Sequence, residues 1–335
     1  MGEKSTYMVD SMIAILCFSC AVIYSGILGD LSTSLLDQYG IKGTQRTSNL
    51  LMITMAALWP ICCIKDLSAL AFTSILGFGA ILYTVVFIVI RALDGSYALP
   101  AGRFVTAGEK ALKLLPTFEK SSLWNMDFSS LVLASNLGLA YIAHYNGPAF
   151  YRNLKDATAE RFSKMVNASF FVLIVLYAVT MAAGYSTFGD VCQGNILLNY
   201  HPDDILSTLG QVATFASILC GFPLVAAGAR ESLVSAMASF GYNVGQYHFA
   251  VVTCLLAAIT AIACTVQDVS LVVGLTGAAM GSFIVYICPP LIYTAAVRST
   301  KGAGSAEDIR ARRYLALLPF GVLIGALGVY MTLKQ

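Results

Sequence analysis

Residues 135–148 read SNLGLAYIAHYNGP, and this stretch decides how the chain folds. It lies in a run, 129–151, that holds no Asp, Glu or Lys before its end and is long enough to cross about 30 Å of hydrocarbon. Yet it carries Ser135, Asn136, Gly138, Gly147, Pro148 and His144. Polar residues and helix breakers inside a bilayer-length run have two readings: close packing with Ser–Asn hydrogen bonds between helices, which this stretch by itself favours, or a helix interrupted within the membrane. Such an interruption survives only where the freed backbone is buried in protein or lines a cavity.

The rest of the chain places that run in its class. With 58% hydrophobic and 11% charged residues over 335 positions, the composition is that of a polytopic membrane protein. Charge-free runs of spanning length fall at about 11–29, 47–64, 67–90, 129–151, 165–189, 205–229, 247–267, 269–297 and 314–333. The runs are continuously apolar and do not alternate, which predicts helices and not a barrel. The expected fold class is an all-α polytopic membrane protein of about nine transmembrane helices in one domain.

Lys and Arg set the expected orientation. Four lie in 152–164 and five in 298–313, on the side shared with the N-terminus, whereas most on the opposite side belong to the long 91–128 connection and count weakly. The N-terminus is therefore expected in the cytoplasm and the C-terminus outside or in a lumen. Eight of the nine cysteines fall within the runs, where Cys acts as a small hydrophobe; Cys192 alone lies in a loop. Neither a metal-ligand spacing nor a disulfide framework is legible, and the net charge of +2 gives no sign of nucleic acid.

An enzyme is disfavoured. The three histidines form no His-Glu-x-x-His, no Gly-x-Ser-x-Gly elbow occurs, and Asp30 has no second intramembrane carboxylate to form a dyad. No catalytic or cofactor residue is expected.

Several motifs together carry a resemblance. PICCIKDLSALAFTS (60–74), HYNGPAFYRNLKD (144–156), KMVNASFF (164–171), GYSTFG (184–189), and Gly277 followed by YICPPLIY (286–293) resemble, in this order, the amino acid/auxin permease family. The nearest branch is that of the sodium-coupled neutral amino acid transporters. The resemblance implies an inverted-repeat fold of five plus five plus one helices. YSGILGD (24–30) then matches the end of the family's third helix, so the first two are expected to be missing from this chain. In this frame 11–90 is the remnant of the first repeat, 91–128 an outer loop, 129–297 the second repeat and 314–333 the last helix.

The resemblance implies a secondary transporter of small neutral amino acids, in the plasma membrane or a vacuolar or lysosomal membrane. In such folds broken helices hold substrate and ion at the midplane. Ser135 to Gly138 is the expected unwound segment, and Ser135, Asn136, Gly138, Tyr141 and Thr276 are the substrate candidates. His144 and Asn146 are candidates for an inner gate, with a structural histidine as the alternative. Thr214 and Ser217, in helical register with Gly210 and Gly221, either line an ion or polar path or form a close-packing stripe. The coupling ion, Na+ or H+, stays open: the branch's hydroxyl ligand before the matched proline is replaced by Leu219, Cys220 or Gly221, and no carboxylate is expected within a span.

Neutral cargo also follows from the charge-free spans, since a net charge would need a counter-charge. Two further expectations concern the missing helices. Ser135, Asn136, Gly138, Thr214 and Ser217 would face a gap, which a second polypeptide, a second copy or a longer product would fill. The alternative function is a truncated, non-transporting partner or amino acid sensor.

Overall fold

The computed structural model describes residues 3–41, 43–64, 71–99, 102–105, 117–118, 130–143 and 147–334, and among these the regular structure is entirely helical. Helix α1 (Glu3–Gln38) is followed by α2 (Arg46–Ile53) and α3 (Trp59–Cys62), which a π-helical turn, Thr54–Leu58, joins into one rod. Next come α4 (Ala71–Leu93), α5 (Ser130–Ala140), α6 (Gly147–Asn153), α7 (Ala159–Phe188), α8 (Ile205–Ser239) and α9 (His248–Thr265). Helix α10 (Val269–Thr276) passes through π turns at Gly277–Gly281 and Phe283–Ile287 into α11 (Cys288–Lys301), and α12 (Ala306–Arg312) and α13 (Leu317–Lys334) complete the chain.

Proline explains two of the three π turns. Pro60 offers no N–H to Ala56, and Pro289 and Pro290 offer none to Val285 and Tyr286, so the preceding turn widens to an i+5 pattern.

Among the described residues seven helices are long and apolar enough to span a bilayer: Val9–Gln38, Ile75–Leu93, Ala159–Phe188, Ile205–Ser239, Gly245–Thr265, Val269–Lys301 and Ala306–Lys334. The two other expected spans differ for physical reasons. The described rod from Arg46 to Cys62 reaches only about 25 Å, short of the roughly 30 Å of hydrocarbon, and 129–151 is split into α5 and α6.

Two helices run past their expected ends. Helix α1 continues beyond residue 29 to Gln38 because its polar turns find partners: Ser32 and Thr33 donate to the Gly29 carbonyl, Ser34 donates to Gln211, and Arg46 pairs with Asp30. Asp30 is thus an ion-paired residue and not a solvated helix end, and Arg46 also donates to the Ala263 and Gly26 carbonyls. Helix α8 continues to Ser239, so Arg230 and Glu231 lie inside it instead of closing it. The extensions also bring Asp30, Asp37 and Glu231 onto membrane helices, against the expectation of carboxylate-free spans.

The longest interface joins α1 to α8. One core cluster gathers Cys17, Ala21, Leu28, Leu50, Leu58, Phe222, Leu256 and Ile259 from α1, α2, α8 and α9 and the π turn. A second, built on Phe87, Phe104, Phe188 and Tyr200, sits where α4, α7 and α8 meet the connecting segments. At that end Arg91 grips the fully buried Asp204 with both Nε and Nη2, at 2.8 and 2.6 Å, and Tyr97 donates to the same carboxylate. Asp204 also caps α8 by accepting from the Leu206 N–H. At the opposite end Arg230 contacts His248 Nδ1 while His248 Nε2 meets the Cys63 carbonyl, and Ser235 donates to Asp10.

Candidate functional site

The interruption sits a few residues after the segment expected to unwind. Ser135 to Gly138 are helical, and α5 ends at Ala140 with Tyr141 in a turn and Ile142 and Ala143 irregular before α6 begins at Gly147. His144 and Asn146 lie outside the described residues. The ladder holds through 135–138 because nothing there removes a donor: Ser135 Oγ–H donates to the Leu131 carbonyl within the same helix, and Tyr141 N–H still reaches Leu137. It fails one residue later, where Ile142 N–H turns to Leu139 at 3.1 Å and the Gly138 carbonyl loses its i+4 partner.

The small residues of α5 serve a close crossing. A Cβ on Gly277 would fall 1.9 Å from the Ser135 carbonyl oxygen, and one on Gly281 would meet Gly138 backbone at 3.5 Å. A Cβ on Gly328 would fall 2.5 Å from Ser135 Oγ, and one on Gly274 would fall 2.7 Å from Thr332. Glycines 274, 277 and 281 therefore let α5, the π turn and α13 approach backbone to backbone, as small residues do in membranes. Thr276 is buried beside them.

Four of the five residues expected to border a gap meet neighbours within the chain itself. Ser135 and Gly138 pack on the π turn after α10, while Thr214 and Ser217 pack on α4: Thr214 shares a hydrogen bond with Thr84 at 3.2 Å, and Ser217 donates to the Gly77 carbonyl at 3.3 Å. Gly210 in the same stripe lies against Phe87. Small side chains allowed the helices to close on each other, so these four residues face protein.

Helix α5 consequently has two working faces. Ser135, Gly138 and Leu139 form the packed one. Asn136 lies on the same stripe as Ala140, since residues four apart share a helix face. The Ala140 carbonyl accepts from Tyr177 of α7 at 3.3 Å, and Tyr141 packs its ring on Tyr177 and Phe170, with centroids 5.2 and 6.0 Å away. Tyr24 of α1 has its ring edge 3.9 Å from where a Cβ on Gly221 of α8 would be. Tyrosines that follow α5 and lie on α7 thus meet where α5 breaks. Asn136 Oδ1 is buried with no hydrogen-bond partner, a costly state for an amide oxygen.

The arrangement offers acceptors without a formal charge: an unpartnered carboxamide oxygen, carbonyls at the negative end of the α5 dipole, and tyrosine hydroxyls. Asn136 and Tyr141 were legible in the sequence, whereas Tyr177, which carries no motif, was not. The π turn at 277–281 was legible only as closely spaced glycines. Among the described residues no cluster of metal-ligating side chains occurs.

Known proteins fit this architecture. The chain is 23% identical over 90% of its length to "Vacuolar amino acid transporter 5" of Schizosaccharomyces pombe. It is 25% identical over 67% of its length to "Vacuolar amino acid transporter 6" of Saccharomyces cerevisiae. Identity is also 25%, over 84% of the chain, to "Putative sodium-coupled neutral amino acid transporter 11" of Danio rerio. The chain spans 69%, 48% and 61% of the lengths of these three relatives. A profile described as "Transmembrane amino acid transporter protein" matches residues 1–334, nearly the whole chain, and on that match this polytopic helical protein belongs to that family of transporters.

Proposed function

We propose that the chain performs secondary transport of small neutral amino acids through the site at the α5 break. The observation that carries this reading is Asn136 Oδ1, buried and without a hydrogen-bond partner among the described residues, one turn before the break at which Tyr177 donates to the Ala140 carbonyl and packs on Tyr141. A substrate ammonium is a donor that would complete it, and the α5 C-terminal dipole favours the same positive group. Across the central stretches of the membrane helices the sequence carries no formal charge. That wall suits a zwitterion, whose charges backbone ends can compensate, and penalises lysine or glutamate.

The orientation that goes with this reading places the Arg230 end in the cytoplasm and the Asp204 end outside or in a lumen. The names of the relatives, which include vacuolar transporters and a sodium-coupled one, are compatible with either a plasma or a vacuolar membrane. The test is uptake of radiolabelled alanine into proteoliposomes holding the purified chain. Competition by unlabelled serine and glutamine, and none by lysine or glutamate, is expected. Stronger competition by either charged amino acid would overturn the reading.

A further inference from the structure

Two basic stretches lie at the Arg230 end of the bundle, and they are built differently. In 152–164 two of the four basic residues pair locally, Arg161 with Asp156 and Lys164 with Glu160. In 298–313 only Arg312 is paired, with Asp308, whereas Arg298, Lys301, Arg310 and Arg313 are exposed and make no ion pair among the described residues. This second stretch is not a loose loop. Helix α12 is folded back on α11, with Asp308 and Ala311 fully buried.

Asp308 holds the turn in place. It accepts from the Gly304 N–H at 2.9 Å and from Arg312 Nη2 at 2.9 Å, its own N–H is capped by Ser305, and Thr294 of α11 donates to the Ala311 carbonyl. With Asp308 and Ala311 turned inward, Arg310 and Arg313, three residues apart, share the outward face. Arg298 and Lys301 project from the last turns of α11 beside them. Next to this cationic face Tyr293 and Tyr314 meet edge to face at 5.7 Å, both about half exposed, as aromatic residues do at a membrane–water interface. Exposed Leu317 and Phe320 continue the apolar surface along α13.

We infer that the α11–α12–α13 turn is a binding site for an anionic phospholipid, with Arg298, Lys301, Arg310 and Arg313 around the headgroup and Tyr293 and Tyr314 at the start of its acyl chains. Orientation signalling requires only a number of basic residues on one side. It does not require a buried carboxylate that clamps a short helix so that its arginines face outward beside an interfacial aromatic pair. A headgroup phosphate matches the unspent charge, and the adjoining apolar surface distinguishes a lipid from a free anion.

The test uses the full chain purified in mild detergent, with its thermal unfolding followed during titration with dioctanoyl phosphatidylserine, dioctanoyl phosphatidylcholine, inorganic phosphate or poly-glutamate. A saturable rise of the unfolding midpoint with phosphatidylserine alone, weakened by added salt, is expected. Arg310→Gln together with Arg313→Gln should weaken that affinity by roughly thirtyfold, about fivefold for each charge, while the two Lys replacements should keep most of it. Asp308→Asn separates a built site from bulk charge. It makes the turn more positive, so simple attraction predicts tighter binding, whereas loss of the clamp predicts weaker binding. An equal response to phosphatidylcholine, a response to poly-glutamate or inorganic phosphate, an unchanged affinity in the double Gln variant, or tighter binding by Asp308→Asn would each overturn the inference.

Discussion

Gly277→Ala tests the crossing on which the site rests. The added methyl would stand 1.9 Å from the Ser135 carbonyl oxygen, 2.7 Å from its carbonyl carbon and 3.3 Å from Leu139 Cβ. Ordinary contact needs about 3.5 Å, so α5 and the π turn would have to separate by roughly 1.5 Å. The obstacle is backbone, which cannot rotate away as the end of a side chain can. Such overpacking costs about 1–3 kcal/mol, and more where the backbone is held from a third side, as Gly328 of α13 holds Ser135 here. Gly138→Ala is the internal control: its Cβ would meet only the Gly277 carbonyl oxygen at 3.7 Å, an ordinary contact. Alanine also gains about 0.5–1 kcal/mol over glycine within a helix. Thermal unfolding of the two variants in mild detergent should therefore move in opposite directions, with Gly277→Ala well below wild type and Gly138→Ala at or above it. Equal midpoints for Gly277→Ala and wild type would refute the close crossing and the assignment of Ser135 and Gly138 to it.

Arg91→Gln should destabilise the protein by about 3–5 kcal/mol, read as a lower unfolding midpoint, because it strands the buried Asp204 carboxylate; Arg91→Gln with Asp204→Asn should recover part of the loss. At the same end burial acts to raise the Asp94 carboxyl, but the Ser96 N–H and hydroxyl and the Arg91 guanidinium outweigh it and hold the group below the usual range. Its contribution to stability is full above the ordinary carboxylate value of about 4 and is lost as pH falls through the lower folded value. An acid unfolding scan of Asp94→Asn should accordingly lack a component that wild type shows in that window. Cys192 should be labelled by a membrane-impermeant maleimide from the outer or luminal side only, slowly at neutral pH because burial and the neighbouring Asp190 push its thiol up. Labelling from the cytoplasmic side that is lost in Cys192→Ser would reverse the orientation.

Much of the fold was legible because a bilayer leaves few options for 335 residues that are 58% hydrophobic. The helix ends were not, because charge-free runs mark hydrocarbon and not hydrogen bonding. Helix α1 passes through Asp30, Ser32 and Ser34 once Arg46 and Gln211 supply partners from distant positions, and no local pattern reveals those partners. The site was legible in part. Asn136 and Gly138 announced that the stretch 135–148 was unusual, but glycine looks the same whether it frees a backbone or admits a neighbour. Only the contacts with Gly277 and Gly281 show the second role. The break came after Tyr141, where the Ile142 N–H turns to Leu139, and the Tyr141 ring there packs on Tyr177 and Phe170 of α7, contacts that no local pattern reveals.

The most direct measurement of the central claim is alanine uptake by Asn136→Ala in proteoliposomes, with its thermal stability measured in parallel. Removing a buried, unpartnered oxygen relieves a cost of about 1–3 kcal/mol, so the variant should be no less stable than wild type. If Asn136 receives the substrate ammonium, the loss of one charge-assisted hydrogen bond should raise KM by roughly tenfold to a hundredfold. A variant as stable as wild type whose KM for alanine is unchanged would contradict the account and place the substrate elsewhere.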